Sequence, residues 1–222
     1  SATNQRVSTF SKELSRHTAS RARRRRPTSF CARGGLDSST RGRSTAALDV
    51  TGTHIVSIKA HFVMMAQYNA WANERLFRMA GALPDELYRR DVGAYFKSMH
   101  GTLNHLLTGD RIWMWRLTGV GDHPARLDAI VFDDLPSLTT ARQREDERIN
   151  RFIEGLAVAT FEELLDYRTL NGTPQRQRRA EILAHLFNHQ THHRGQAHGI
   201  LTALGVDPLP LDLLIMQRER LA

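Results

Sequence analysis

From Ile58 to Leu204 the apolar residues return every three or four positions. Only an α-helix, at about 100° per residue, gathers positions spaced in this way onto one continuous stripe. Phe62, Met65, Asn69, Ala72 with Asn73, Leu76 and Ala80 make the stripe of a first long helix that begins at Ile58. A second runs roughly from Ser98 to Leu117, with Met99, Leu103, Leu106, Asp110, Trp113, Met114 and Leu117 on one side, and Gly119 and Gly121 end it. Thr140 to Gln143 offers a capping box for a third helix reaching about Leu156, and Thr160 to Glu163 offers another that opens a short helix. Asn171-Gly172 marks a small hairpin, because that dipeptide tolerates the positive φ of a type I′ turn, and Pro174 confines the second arm to a sheet edge. A fourth long helix spans about Arg179 to Leu204 and stops at Gly205, with Pro208 and Pro210 beyond it. The expected class is all-α: an antiparallel-type four-helix bundle with a small hairpin before its last long helix.

That last helix carries polar residues where a core should be. With Ile182 set at zero, Leu186, His189, His193, Ala197, Ile200 and Leu204 all fall within about 60° of it. His185 and His192 come out at the edges of the stripe. The periodicity thus selects one pair, His189 and His193, separated by a single turn on the inward face. Two imidazoles at this spacing can direct ring nitrogens at a common ion about 2.0–2.1 Å from each. The other reading is two buried histidines hydrogen-bonded to neighbouring side chains, since unpartnered ring nitrogens in a core cost several kcal/mol, at roughly 1–3 kcal/mol per group. The zinc-peptidase pattern H-E-x-x-H is excluded, because Gln190 stands where its glutamate base is needed. No nucleophile elbow, phosphate loop or dinucleotide fingerprint occurs.

A third ligand has to come from another helix, and the second helix offers His100, His105 and Asp110. Periodicity favours Asp110, which lies on the main stripe, whereas His105 falls on the far side with Gly101 and Ile112. Apolar residues on both sides of this helix leave it free to be buried nearly all round, which keeps His105 open as a ligand. Asn69 and Asn73 face inward from the first helix, either as interhelical hydrogen-bonding groups or as residues that orient a ligand imidazole.

Charge divides the chain in two. Residues 1–57 hold eleven of the 31 Lys/Arg and three of the 23 Asp/Glu, so the whole formal charge of +8 sits there, and the remaining 165 residues carry twenty of each sign. The segment 1–57 is basic and rich in Arg, Ser, Thr and Gly, with Phe10 and Phe30 its only aromatics, and is expected to be disordered. Arg23 to Arg26 suit phosphate backbones, and the composition also resembles an organellar leader. The first methionine is Met64, so an upstream extension of the gene model is a third reading, which peptide mapping of the native N-terminus tests. A single cysteine, Cys31, excludes an intrachain disulfide and points to a reducing, cytoplasmic setting. No apolar run reaches the roughly 18 residues of a membrane span. The folded part is expected over residues 58–222.

Three stretches, "YNAWANERL" (Tyr68 to Leu76), "GTLNHLLTGDRIW" (Gly101 to Trp113) and "NHQTHHRGQ" (Asn188 to Gln196), resemble the DinB family of bacterial metal-binding four-helix proteins, in the expected order over about residues 58–220. The resemblance implies a divalent metal held by three histidines at the positions matched by His105, His189 and His193. It places Asp110 in a supporting or structural role. It also implies, by similarity to thiol-dependent enzymes of the wider superfamily, a metal that activates a low-molecular-weight thiol or water for attack on an electrophile. A homodimer and a small-molecule substrate belong to the same expectation, and no catalytic residue is singled out.

Three functions compete at this point. A metal-dependent enzyme, of thiol S-transferase or hydrolase type, requires an open three-histidine site. A non-catalytic, stress-associated metal-binding bundle requires a closed one that stabilises the fold. Nucleic-acid binding through Arg23 to Arg26 ranks last, because the neutral domain lacks the charge excess that phosphate binding needs. Three imidazoles suit Zn, Ni, Cu, Fe or Mn to different extents, so the sequence leaves the ion open.

Overall fold

The computed structural model describes residues 57–221. The basic segment through residue 56, with Cys31 and the expectation of disorder, lies outside the described residues.

Four long helices form the bundle: α1 (Ile58–Gly81), α3 (Met99–Thr118), α4 (Leu135–Gly155) and α5 (Arg179–Ala203). Two short helices, α2 (Asp85–Arg89) and α6 (Leu213–Glu219), were not apparent from periodicity, which needs more than two turns to show itself. Local chemistry sets the ends. The Ser57 hydroxyl accepts from the Ala60 amide at the start of α1, and Ser98 accepts from Gly101 at the start of α3. Gly119, at φ +70°, closes α3 in the left-handed conformation that residues with a Cβ avoid.

Two expected boundaries are corrected. Helix α4 starts more than a turn before Thr140: Asp134 caps it by accepting from the Ser137 amide, and Pro136 sits in the first turn, where a missing N–H costs nothing. Thr139 and Thr140 are already helical and donate their hydroxyls back to the Leu135 and Pro136 carbonyls. Thr160 to Glu163 does not open an α-helix. It lies in and just after a 3₁₀ turn, Val158–Glu162, where the Thr160 hydroxyl donates to the Ala157 carbonyl instead of capping forward.

The hairpin is present, with β1 (Leu164–Arg168) antiparallel to β2 (Pro174–Arg178) and Pro174 at the first position of its strand. Its connection is a five-residue loop, 169–173, rather than a two-residue type I′ turn. Only Gly172 takes positive φ, and the Thr169 hydroxyl and Asn171 side chain hold the loop from inside.

In the bundle α1 packs mainly on α4 and α3 mainly on α5. Two apolar clusters fill the ends. One gathers Phe62, Met114, Ile149, Phe161, Ile182 and Leu186; the other gathers Leu76, Met99, Leu103, Leu138, Ile200 and Leu201. Between them, across the waist, lies a layer of buried polar side chains: Asn69 and Asn73 from α1, Asp110 from α3, Arg142 and Asp146 from α4, Gln190 and Arg194 from α5.

Helix α3 is covered on both sides, with Asn104, His105 and Thr108 as buried as Leu103 and Leu106. Its second side lies under the 119–134 loop: the Asn104 amide donates to the Phe132 carbonyl and accepts from the Val131 and Phe132 amides. No helix among the described residues is long and apolar enough to cross a membrane.

Candidate metal centre

The three histidines expected as ligands meet where α3 faces α5. His105, His189 and His193 each offer one ring nitrogen within 4.8 Å of the other two. His105 Nε2 lies 3.2 Å from His189 Nε2. Nitrogens held about 2.0–2.1 Å from a tetrahedral ion stand roughly 3.3 Å apart, so His105 and His189 are already near ligand spacing and His193 is within reach of both. His105 is 2% exposed, His193 9%, and His189 half-buried.

Each outer nitrogen tells which way its ring is set. His105 Nδ1 lies 2.7 Å from the Leu127 carbonyl, which can only accept, so Nδ1 carries the proton and Nε2 presents its lone pair. His193 Nδ1 lies 2.7 Å from Gln196 Oε1, while the Gln196 amide nitrogen reaches His192 Nε2 at 3.1 Å. That amide is thereby oriented and His193 Nε2 is likewise free. Without an ion, His189 Nε2–H donates to His105; ligation requires the His189 proton to reside on Nδ1 instead.

Burial pushes His105 down to about 4; the Leu127 carbonyl pulls back and His193 adds to the drop. His189 falls to about 3, first through burial and then through the imidazoles of His193, His105, His185 and His192. His193 is lowered by burial against the pull of Gln196. All three rings are neutral at neutral pH, as metal ligation requires.

The surroundings are shaped to these rings. The side chain of His189 fits because position 109 is glycine: a Cβ there would sit 2.9 Å from His189 Cε1. Phe96 stacks on His105 with centroids 3.8 Å apart at 18°, and meets His193 edge-on at 5.5 Å. His185 and His192 stay outside, both exposed. His185 packs against the Trp113 ring at 4.9 Å.

The polar layer is a separate construction. Asp110 accepts from Gln190 Nε2 at 2.6 Å, and its Oδ2 lies 2.8 Å from Arg142 Nη1, an ion pair by distance whose N–H direction falls outside hydrogen-bond geometry. Burial raises the Asp110 carboxyl and Arg142 opposes the rise. For Arg142 burial disfavours the charge, yet Asp146, Asp110 and Glu145 outweigh it, so we take the pair as ionised. Asn69 and Asn73 both donate to Asp146 Oδ1 and accept from Arg194. They are interhelical hydrogen-bonding groups and touch no ligand imidazole. His100, the remaining candidate on α3, points elsewhere and pairs with Tyr88, its Nδ1 3.3 Å from the phenol.

Four contributors escaped sequence reasoning. Spacing marks two of them, Gly109 one turn after His105 and Gln196 nearly one turn after His193. Phe96 and the Leu127 carbonyl lie in irregular segments and carry no periodic signal.

The sequence profile of the DinB family matches residues 54–220. The chain belongs to the DinB family. Protein DinB of Bacillus subtilis (strain 168) is 26% identical over 156 residues, which cover 66% of this chain and 87% of that protein. A DinB-like protein from Bacillus cereus ATCC 10987, known from a crystal structure at 2.01 Å resolution, superposes with a TM-score of 0.52 at 17% identity, covering 66% of this chain and 94% of that one. The second likeness is one of fold. Membership of the DinB family and the convergent histidines together fit a metal-binding protein.

Proposed function

We propose that His105, His189 and His193 are the ligands of a divalent metal ion and that the site activates a low-molecular-weight thiol or water for attack on an electrophilic small molecule, as in a thiol S-transferase. The observation that carries the ligand assignment is the outward anchoring of Nδ1 on His105 and His193, which leaves Nε2 of each free while ring nitrogens of all three histidines lie within 4.8 Å of one another. When bound, an ion held by three neutral imidazoles retains its full charge and supplies Lewis acidity to a thiol or water at a remaining position. The protein's own part is to fix the rings: Leu127 and Gln196 hold the protons on Nδ1, Gly109 admits His189, and Phe96 covers one side. Three imidazoles accommodate Zn, Ni, Mn or Fe.

Elemental mass spectrometry on untagged protein, with His105→Ala and His189→Ala alongside, tests the ligands. Stoichiometric metal in the wild type and its loss from both variants is the expected result. Turnover of thiols with electrophiles, dependent on that metal, then tests the transferase reading.

One observation favours a second reading, a non-catalytic metal-binding protein. His105 and His193 are buried and Phe96 lies flat on His105, which fits a closed site. Under that reading chelation lowers stability sharply and no thiol turns over. The proposal further includes a cytoplasmic homodimer, tested by sedimentation equilibrium and by fractionation.

A further inference from the structure

Phe96 lies in a turn whose backbone is held in an unusual state. Lys97 has φ +68°, alone among the described non-glycine residues in taking positive φ, and no side chain of its own type favours that region. Hydrogen bonds close the turn on both sides of it: the Lys97 amide donates to the Ala94 carbonyl at 2.8 Å, the Val92 amide to the Lys97 carbonyl at 2.9 Å, and the Ser98 amide to the Phe96 carbonyl at 2.8 Å. The first turn of α3 is cut away to receive it. A Cβ on Gly101 would lie 2.1 Å from the Phe96 carbonyl oxygen, so no other residue fits there without moving the turn.

Strain at one residue and a mandatory glycine at another both serve to bring a single segment close to α3. What that approach delivers is the Phe96 ring, flat on His105 and edge-on to His193. The neighbouring Tyr95 is 84% exposed, so the turn is not built to bury aromatic surface in general.

We propose that Phe96 is a positioning residue for the histidine triad. Leu127 fixes rotation of the His105 ring within its plane through Nδ1, and the Phe96 face fixes the tilt of that plane. Together they set the direction of the Nε2 lone pair, while the edge contact limits His193. This inference rests on the triad being a metal site, but its geometric content concerns the ring of His105 in the metal-free protein as well.

The test uses the full chain and three variants. Phe96→Leu keeps apolar volume and removes the flat face; Phe96→Tyr keeps the face. Gly101→Ala moves the turn although alanine is the better helix former. Ring ¹⁵N spectra of metal-free wild type should show His105 as one Nδ1–H tautomer, and Phe96→Leu, by letting the ring tilt off the Leu127 carbonyl, should average it. Titration with Zn(II), and with Co(II) followed by its visible bands, should give an affinity weaker by roughly 10–100-fold in Phe96→Leu and in Gly101→Ala, the range of losses seen when groups supporting a ligand are removed. The Co(II) bands should shift, and Phe96→Tyr should restore affinity to within about twofold of wild type.

Unchanged His105 ring signals in Phe96→Leu, or failure of Phe96→Tyr to restore them, overturn the proposal. So does an affinity for Zn(II) in Gly101→Ala equal to that of wild type. Wild type that takes up neither metal while Phe96→Leu still averages the His105 tautomer would sink the metal reading and leave the positioning role standing. Should Phe96→Leu fail to fold, Gly101→Ala and Phe96→Tyr decide by the same two measurements.

Discussion

Helix α5 carries two sets of buried polar side chains a few residues apart, and they are built on opposite principles. Gln190 and Arg194 enter the layer across the waist, where Gln190 donates to Asp110, Arg142 pairs with Asp110 and Asp146, and Arg194 donates to Asn69 and Asn73, which in turn donate to Asp146. Both carboxylates pair with Arg142, and Arg194 joins through the asparagines, so the two charges of each sign in the set balance. His189 and His193, with His105, do the reverse. The outer nitrogens of His105 and His193 are tied to Leu127 and Gln196, and the inner nitrogens face one another with one proton, on His189, among them. A group of polar residues whose charges pair across helices holds those helices together; a group of rings that turn lone pairs towards one another, with a single proton to share, is arranged for something that is not protein.

The sharpest way to break this comparison is to remove a charge from the layer. Arg142→Leu leaves Asp110 and Asp146 buried without their cation, which should cost about 3–5 kcal/mol in urea unfolding at neutral pH. A loss below 1 kcal/mol would mean that the layer is not the ionised structure described. Next comes His189→Ala. Metal affinity should fall by more than the roughly 100-fold that supporting groups are worth, measured by competition with a chelating dye, while the metal-free protein unfolds close to wild type. If stability collapses instead, this histidine belongs with the layer.

Gly109→Ala is a smaller perturbation of the same ring. A methyl group 2.9 Å from His189 Cε1 must displace it, and affinity should drop roughly 10-fold with the other two ligands intact. The pH dependence sharpens the contrast further. The unfolded imidazole titrates near about 6.5, whereas His105 and His189 in the fold lie at about 4 and about 3. The unfolded chain therefore binds more protons in this window. The histidines' contribution to metal-free stability is complete above about 6.5 and drains away as pH falls towards 3. Urea midpoints between pH 7 and 4 should decline for wild type and decline less for His105→Ala. Smallest of all, His185→Ala should change metal affinity by less than about twofold, because its exposed ring packs on Trp113 and orients none of the three ligands.

Much of this was legible in the residues, for reasons that differ by element. The ends of α1, α3 and α5 are written in Ser57, Ser98, Gly119 and Gly205, and their stripes are long enough for the period to show. The start of α4 was misplaced because Asp134 caps it from the end of an irregular loop, while Thr140, which looks like a cap, spends its hydroxyl on the preceding turn. His189 and His193 could be picked from a crowd of histidines because a helix sorts its residues by angle. His105 could not, since its burial depends on the 119–134 loop folding over α3, and a loop has no period to read. The choice of His105 over Asp110 came from the family resemblance, and the structure brings His105 to the other two while giving Asp110 to Arg142 and Gln190. Phe96 was invisible for the same reason as the loop: its place is set by backbone strain at Lys97 and by the glycine at 101.

The ionic layer also bears on how the molecule opens. An all-apolar bundle can let one helix fray while the other three remain in contact. Here, withdrawing α4 strands Asp110 beside no cation, and withdrawing α1 removes the asparagines through which Arg194 reaches Asp146. Each long helix holds part of the others' charge balance, so partial detachment exposes unpaired ions to an apolar interior and is disfavoured at every step. Amide protons at the waist of α3 and α5 should then exchange only when the whole bundle unfolds, while those at the helix ends exchange sooner.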